Sequence, residues 1–323
     1  MAKINVGTFN LNNLFSRFDF KGTLAQGETK TVEGVTTFTI AREALMFRTY
    51  DGKLVRSKRD ADRETVAERI KSMDLDVLAV QEVEDLVTLE TFVAEDLGGL
   101  YPYVTLVEGN DDRLIDVGLL SKLPIGAVTS WRHMPDPERT ADRLFGRDLL
   151  QVEILSTDRK RVLFTIFNNH LKSKLVRAKE PGAAAEEEKE NNRLRTRQAE
   201  AIADVIRNRL PEANAAFIVT GDLNDDPMAP TLEAIRKLEV KNGLEDPIES
   251  PPYQVHGEAP PTKAWTHRFV RGDAPPHYEL FDQIWLSPSL AAKQLGGFIK
   301  RRTKPWGDGS DHDPAWVELD LDA

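Results

Sequence analysis

The chain has 323 residues, 40 % hydrophobic and 30 % charged, enough apolar material for one large packed domain or two small ones, with no apolar run long enough to cross a bilayer as a helix. It contains no cysteine, which excludes disulfides, thiolate metal sites and a cysteine nucleophile, so any metal must sit on oxygen and imidazole. With 43 Lys and Arg against 53 Asp and Glu, the net charge of −10 opposes broad, sequence-independent adhesion to nucleic acid and leaves that task to local basic clusters.

In chain order, Ile4 to Phe9 alternates as a strand and lacks the apolar stretch and cleavage site of a secretory signal. A cytoplasmic location is therefore expected for the chain as written, and secretion would require a leader already removed. Residues 21 to 60 carry little helical periodicity and are expected to form a β-rich insertion, with Thr36 to Ile40 as a strand. Further strands are predicted at Val77 to Gln81, Val117 to Ser121, Leu149 to Leu155, Val162 to Asn168, Phe217 to Thr220, Gln283 to Leu286 and Ala315 to Leu319. Helical spacing predicts Asp62 to Met73, Asp85 to Leu97, Glu186 to Leu210 and Ala229 to Leu238, the third carrying Ala199, Ile202, Val205, Ile206 and Leu210 on one stripe. Pro-rich stretches at Pro247 to Pro261 and Ala274 to Pro276 punctuate surface loops. Strands apolar on both faces alternating with helices imply an α/β sandwich. No linker divides the chain, so a single domain over 1–323 is expected, and a monomer is favoured. The basic groups Arg56, Lys58 and Arg59, then Lys172, Lys174, Arg177 and Lys179, then Arg193, Arg195 and Arg197, then Arg301, Arg302 and Lys304, each read singly as solvated surface.

Six hydrophobic segments end in carboxylates, amides or imidazoles that a buried strand would not otherwise tolerate. They are Thr8-Phe9-Asn10-Leu11-Asn12, Val80-Gln81-Glu82-Val83, Asn168-Asn169-His170-Leu171-Lys172-Ser173, Gly221-Asp222-Leu223-Asn224-Asp225, Phe281-Asp282-Gln283 and Gly309-Ser310-Asp311-His312-Asp313-Pro314. Each alone is compatible with turn or capping chemistry. Strand ends are, however, where open sheets gather ligands, and six such ends in one chain point to a shared crevice. Trp265-Thr266-His267, ahead of the Asp282 strand, reads first as a core tryptophan beside a surface histidine, with lining of the crevice as the alternative.

This ordered set resembles the endonuclease/exonuclease/phosphatase superfamily across essentially the whole chain, most specifically at Gly221-Asp222-Leu223-Asn224 and Ser310-Asp311-His312-Asp313-Pro314. The stretch Asn169 to Lys174, followed by Arg197-Gln198-Ala199, is similar to the branch of bacterial extracellular nucleases, whereas abasic-site endonucleases carry a tyrosine where His170 stands. The resemblance implies a four-layered α/β/β/α sandwich, two mixed β-sheets packed face to face with outer helices, and divalent-metal-dependent phosphodiester hydrolysis by in-line attack of water. Glu82 suits Mg²⁺ as a hard carboxylate ligand, with Mn²⁺ a substitute, and the resemblance adds Asn10 and Asp311 to that shell. Asp222 is expected to orient or deprotonate the water, Asn224 to donate to the phosphate, His312 to face the phosphate with Asp282 on its other ring nitrogen, and His170 to contact a phosphate oxygen or protonate the leaving oxygen. Asn12 and Lys172 are further phosphate-binding candidates, with Asn169, Asp225 and Glu84 peripheral. A nuclease cutting DNA or RNA is the leading expectation. Hydrolysis of lipid headgroups, inositol phosphates or another small phosphoester is the alternative, and a binding protein that kept the fold without the chemistry is third.

Overall fold

The structure, a computed structural model, describes residues 3–16, 28–32, 35–39, 58–212, 214–238, 253–254, 264–269, 275–303 and 308–322. Its strands in chain order are β1 (Lys3–Leu14), β2 (Glu28–Val32), β3 (Val35–Thr39), β4 (Val77–Val83), β5 (Tyr103–Leu106), β6 (Asp116–Ser121), β7 (Ile125–Ser130), β8 (Leu149–Leu155), β9 (Val162–His170), β10 (Phe217–Asp222), β11 (Tyr253–Gln254), β12 (His267–Phe269), β13 (His277–Glu279), β14 (Asp282–Leu286), β15 (Gln294–Ile299) and β16 (Ala315–Asp320). The principal helices are α1 (Asp60–Met73), α2 (Leu86–Glu95) and α3 (Pro181–Arg209). Two six-stranded sheets result, ordered β15-β16-β1-β4-β6-β5 and β11-β14-β10-β9-β8-β7. Both are mixed: β4 runs parallel to β1 and β10 parallel to β9, each pair separated in sequence by a crossover that carries α1 or α3, while the other pairings are antiparallel.

Three buried clusters fill the three interfaces of a four-layered sandwich. Period-two alternation sends Val77 and Ala79 of β4 inward, with Ile4, Val6, Val117 and Leu119, against Val152, Ile154, Phe164, Ile166, Ile218 and Ile284 of the second sheet. The alternate residues Leu78 and Val80 meet Val66 and Ile70 of α1 and Leu89 and Phe92 of α2. On the far side, Phe167, Phe217 and Val219 pack against Ala199, Ile202 and Ile206 of α3. Helices cover both outer faces, which is why the central strands read as unbroken apolar runs. No described helix is long and apolar enough to cross a membrane.

The strands β1, β4, β9 and β10 run past their expected ends into the polar residues, and two helices depart further from expectation. Helix α3 begins at Pro181 rather than Glu186, because proline suits the first helical position and the Ala-rich stretch after it propagates the helix. The helix expected over Ala229 to Leu238 is only a single 3₁₀ turn at Pro230–Leu232 followed by four α-helical residues, Glu233–Arg236. Leu232, Ile235 and Leu238 are buried on the same cluster as α3, so the apolar spacing was satisfied by docking rather than by length. Of the insertion expected over residues 21–60, the hairpin β2–β3 is described, which includes the strand foreseen near Thr36, and the remainder up to residue 57 lies outside the described residues.

The two sheets are tied at one end of their interface by amides. Gln81 Nε2 on β4 donates to Asn168 Oδ1 on β9 at 2.8 Å and to Thr8 Oγ1 at 3.0 Å, while Asn168 Nδ2 donates to the carbonyls of Gly118 (2.8 Å) and Val80 (3.1 Å). All three side chains are buried, so these bonds satisfy groups that would otherwise cost about 1–3 kcal/mol each to leave unpaired.

Candidate active site

The crevice forms at the same end of both sheets as the amide tie. In the second sheet, register alone brings three of the expected residues into a row: Asp222 pairs with His170 across the parallel β10–β9 ladder and with Asp282 across the antiparallel β10–β14 ladder. In the first sheet, regular pairing breaks where the polar residues begin. Gln81 pairs with Val117 and Val83 with Asp116, so Glu82 is an extra, bulged residue at φ 59°, and β1 shifts register between Asn10 and Leu14, with Asn12 and Asn13 at φ 47° and 59°. Such bulges re-aim side chains at strand ends. Asp311 and His312 arrive on the loop before β16, whose Ser310 Oγ donates to the carbonyl of Asn10 at 2.7 Å.

One carboxylate oxygen stands at the focus. Asp222 Oδ2 accepts a hydrogen bond from Asn10 Nδ2 at 3.0 Å and lies 3.4 Å from His170 Nε2 and 3.9 Å from His312 Nε2. Its partner Oδ1 accepts from the backbone of Asn224 at 2.9 Å, an Asx turn that holds Asn224 at φ 52°. Burial pushes the Asp222 carboxyl up to about 7, against the pull of His312. His312 Nδ1–H donates to Asp282 Oδ2 at 2.6 Å. Burial opposes the charge on that imidazole, but Asp282, Asp222 and Asp311 outweigh it and hold its pKa well above the ordinary histidine value. His170 moves the other way: burial first, then the Arg147 guanidinium and His312, keep it neutral. Two imidazoles beside one carboxylate are thus held in opposite protonation states.

Glu82 has its carboxylate 18 % exposed to the crevice, 4.0 Å from His170 Nε2, with the backbone of Asn13 donating to its other oxygen at 3.1 Å. Asn10 keeps its amide oxygen turned to the backbone of Asn12 (2.9 Å), and the Asp311 side chain is 55 % exposed. Glu82 and Asp311 both act on the ammonium of Lys58, which donates to the carbonyl of Asn12 at 2.8 Å and which burial brings down to about 8 despite these carboxylates. Glu82 and Asp311, two hard carboxylates acting on one cation, suit an oxygen-ligated divalent ion, and the Asn10 amide oxygen is a further hard donor of the same chemistry.

Arg147, which the sequence did not single out, stands beside this set with Lys172, His267 and Trp265. Arg147, buried at the start of β8, donates through Nη2 to His170 Nε2 at 3.2 Å and through Nη1 to the carbonyl of Leu171. Because an arginine can only donate, the neutral His170 ring accepts at Nε2 and carries its proton on Nδ1, which has no hydrogen-bond partner among the described residues. The ammonium of Lys172 is half-buried, lowered by that burial and then by Arg147, Arg113 and Arg177. His267, expected at the surface, instead bridges to His312 through the backbone, stacks on Phe281 with ring centroids 5.1 Å apart, and stands 4.9 Å from the His312 ring. Trp265, expected in the core, is only partly buried, between Tyr278 and the guanidinium of Arg301.

The basic groups divide. Lys172 and Arg177 gather with Arg147 and Arg113, whereas Arg193 lines a separate cleft of about 790 Å³ with Lys174, Lys189, Asn192 and Asp225. Arg195 and Arg197 are not solvated surface. Helical periodicity turns them inward, where Arg195 pairs with Asp225 at 3.0 Å and Arg197 with Asp136 at 2.9 Å. Of the peripheral candidates, Asp225 is held by Arg195 and Lys174, Glu84 accepts from the backbone and hydroxyl of Ser16, and Asn169 donates to the carbonyl of Thr220, so each ties the scaffold of the crevice.

Residues 7–312 match the model of the Endonuclease/Exonuclease/phosphatase family. Among solved structures, the human Nocturnin catalytic domain with a bound sulfate anion is similar at 13 % identity and TM-score 0.58, covering 98 % of this chain and 93 % of that one. A truncated TDP2 of Caenorhabditis elegans is similar at 16 % identity and TM-score 0.56, covering 98 % of each chain. The mannosyl-6-phosphatase Bt3783 of Bacteroides thetaiotaomicron VPI-5482 is similar at 15 % identity and TM-score 0.56, covering 98 % of this chain and 99 % of that one. No curated protein matches the sequence.

Proposed function

The chain belongs to the Endonuclease/Exonuclease/phosphatase family, and from that premise we propose that it is a divalent-metal-dependent phosphodiester hydrolase that cuts a nucleic-acid backbone, DNA before RNA, by in-line attack of water. Family membership points to phosphoester hydrolysis; the observation that carries the finer reading is the convergence of Asn10, His170 and His312 on Asp222 Oδ2. A buried carboxylate with a raised pKa is suited to taking a proton from water, and its hydrogen bond from Asn10 fixes its direction. His312, kept cationic by Asp282, stabilises charge growing on the phosphoryl oxygens. Asn224, in the same turn as Asp222, donates to the phosphate, and His170, oriented by Arg147, contacts a phosphate oxygen once Arg147 turns to the phosphate and the His170 Nε2 carries the proton. Asn12 and Lys172 extend the phosphate contacts. Glu82, Asn10 and Asp311 would hold Mg²⁺, or Mn²⁺ in its place; the ion supplies charge neutralisation at the phosphoryl and leaving oxygens when bound.

Nucleic acid is favoured over a small ester by Lys172 and Arg177 beside the crevice, with Arg147 and Arg113 behind them sharing Asp111, since cations of this kind suit contacts to phosphates rather than base readout. The net charge of −10 favours a small phosphoester instead. Hydrolysis of supercoiled plasmid and of bis-p-nitrophenyl phosphate, each with Mg²⁺, Mn²⁺ or EDTA, separates the two. Metal-dependent plasmid cleavage that His312→Ala abolishes is the expected result. Turnover of only the small diester overturns the nucleic-acid assignment, and metal-independent turnover overturns the metal.

A further inference from the structure

Among the described residues, the histidine and carboxylate side chains that gather as a set of three metal donors are not the oxygen set above but His267, Asp311 and His312, whose donor atoms all lie within 4.8 Å of one another. His267 Nε2 is 3.9 Å from Asp311 Oδ2, and His312 Nε2 is 4.0 Å from Asp311 Oδ1, so one carboxylate faces an imidazole at each oxygen. We propose that these residues form a capture site for a borderline first-row divalent ion, Zn²⁺ above all, which overlaps the catalytic centre and switches it off. The switch rests on the reading of Asp311 and His312 as working parts of a hydrolase; the capture site itself does not.

The donors are held as such sites require. His312 gives Nδ1–H to the buried Asp282 at 2.6 Å, which fixes the ring and aims Nε2 outward, the carboxylate–histidine arrangement that commonly backs a metal ligand. His267 is fixed by its stack on Phe281 and by the strand bridge to His312, with Thr266 bonded on both sides, from its nitrogen to the carbonyl of Glu279 (2.9 Å) and from the nitrogen of Asp313 to its carbonyl (2.7 Å). The Asp311 side chain, 55 % exposed, gives an ion a way in from solvent and a ligand free to adjust. Tetrahedral Zn²⁺ with nitrogen and oxygen ligands about 2.0–2.1 Å away sets its donors roughly 3.3–3.4 Å apart, so the imidazole–carboxylate separations need a closure of about 0.6 Å and the widest separation in the set one of up to about 1.4 Å, which the exposed Asp311 and a small ring shift can supply.

The donor chemistry separates this site from the oxygen set. Two imidazoles and one carboxylate suit Zn²⁺ or Co²⁺, whereas Mg²⁺ and Mn²⁺ prefer oxygen ligands and Mg²⁺ retains its waters. An ion held here takes Asp311 from the oxygen set and displaces to solvent the proton on the His312 nitrogen that faces Asp222, while Glu82 and Asn10 stay in place. His267 supplies the selectivity without touching the proposed reacting atoms.

Metal-free full-length chain titrated with Zn²⁺ alone by calorimetry, with Co²⁺ absorption as a report on nitrogen ligation, tests the site directly. The expected result is one tight ion per chain, weakened at least tenfold in His267→Gln and in His267→Phe, the second of which keeps a ring against Phe281; melting curves identify any variant that fails to fold, and the other then decides. Undiminished Zn²⁺ binding by the folded variants overturns the site. In Mg²⁺-driven plasmid hydrolysis, the wild type is expected to lose activity on Zn²⁺ addition, whereas His267→Gln, with each protein normalised to its own Zn²⁺-free rate, needs at least tenfold more Zn²⁺ for the same fractional loss. Full activity of the wild type with Zn²⁺ bound overturns the switch. A chain that binds Zn²⁺ through His267 yet hydrolyses no phosphoester under any metal overturns the hydrolase reading and leaves the capture site standing.

Discussion

Gly221 is where fold and site meet most tightly, and Gly221→Ala tests that junction. The residue has φ 127°, and a Cβ built there would lie 1.9 Å from the carbonyl oxygen of Asn169 and 2.9 Å from its carbonyl carbon. The obstacle is backbone, not a side chain that can rotate, and it belongs to the neighbouring strand: Gly221 pairs with Asn169 in the parallel ladder that also sets Asp222 beside His170. Relief requires β10 to part from β9 by more than 1 Å. The φ value costs about 1–3 kcal/mol for an L-residue, and each buried ladder group left unpaired about 1–3 kcal/mol more, so a loss of about 3–6 kcal/mol is expected. At roughly 2.1 cal/mol/K per residue over 323 residues, that lowers Tm by about 4–9 °C, measurable by calorimetry together with urea unfolding. Because the strain is released at Asp222, phosphodiester hydrolysis is expected to fall further than stability does. A variant melting within about 1 °C of wild type, with hydrolysis intact, would refute both the clash and the claim that this ladder sets the site.

Three further outcomes are expected. Asp282→Asn, which removes the charge 2.6 Å from His312 Nδ1, should cost about 100- to 1,000-fold in kcat/KM, about 3–4 kcal/mol, with the His312 pKa falling in an NMR titration; a change under threefold counts against the pairing. Glu82→Gln should raise the Mg²⁺ concentration for half-maximal hydrolysis at least tenfold while leaving Tm nearly unchanged, since the carboxylate is partly exposed and accepts one hydrogen bond from Asn13. Asp116, raised to about 7 by burial and by Glu108, Asp111 and Asp148, is protonated in the fold and ionised in the unfolded chain between its ordinary value near 4 and 7. Its contribution is therefore intact below pH 4 and lost as pH rises through 7, and Asp116→Asn, which keeps an acceptor for the Gly109 N–H, should raise Tm at pH 8 and do so less at pH 5.

Much of the site was legible because a strand buried on both faces tolerates Asn, Glu, Asp or His only where it leaves the sandwich, and Asn10, Glu82, His170, Asp222 and Asp282 all stand at such exits. The fold followed from the same uninterrupted apolar runs. What escaped did so for geometric reasons. Arg147 precedes β8, and only the antiparallel pairing of Leu149 with Asn169 carries the start of that strand to the end of β9; charged residues before antiparallel strands were the available signal. His267 meets His312 across 45 positions of sequence through a single bridge, too short to mark a strand by pattern. Arg195 and Arg197 sit in a run of alternating charge that resembles a solvated face, and their burial depends on Asp225 and Asp136 arriving from distant loops.

The amide tie between Gln81 and Asn168 gives the crevice a mechanical character. Glu82 follows immediately on one side of that tie and His170 stands two residues beyond it on the other, so the two halves of the crevice belong to separate plates, greased by apolar contacts over most of their faces and pinned at this end by polar bonds, the amide tie together with Asn10–Asp222 and His312–Asp282. Slippage between the plates would misalign the crevice while each sheet kept its own ladder, and on gentle heating catalysis is expected to fade before the cooperative melt, with the interval between the two measuring how firmly that end holds.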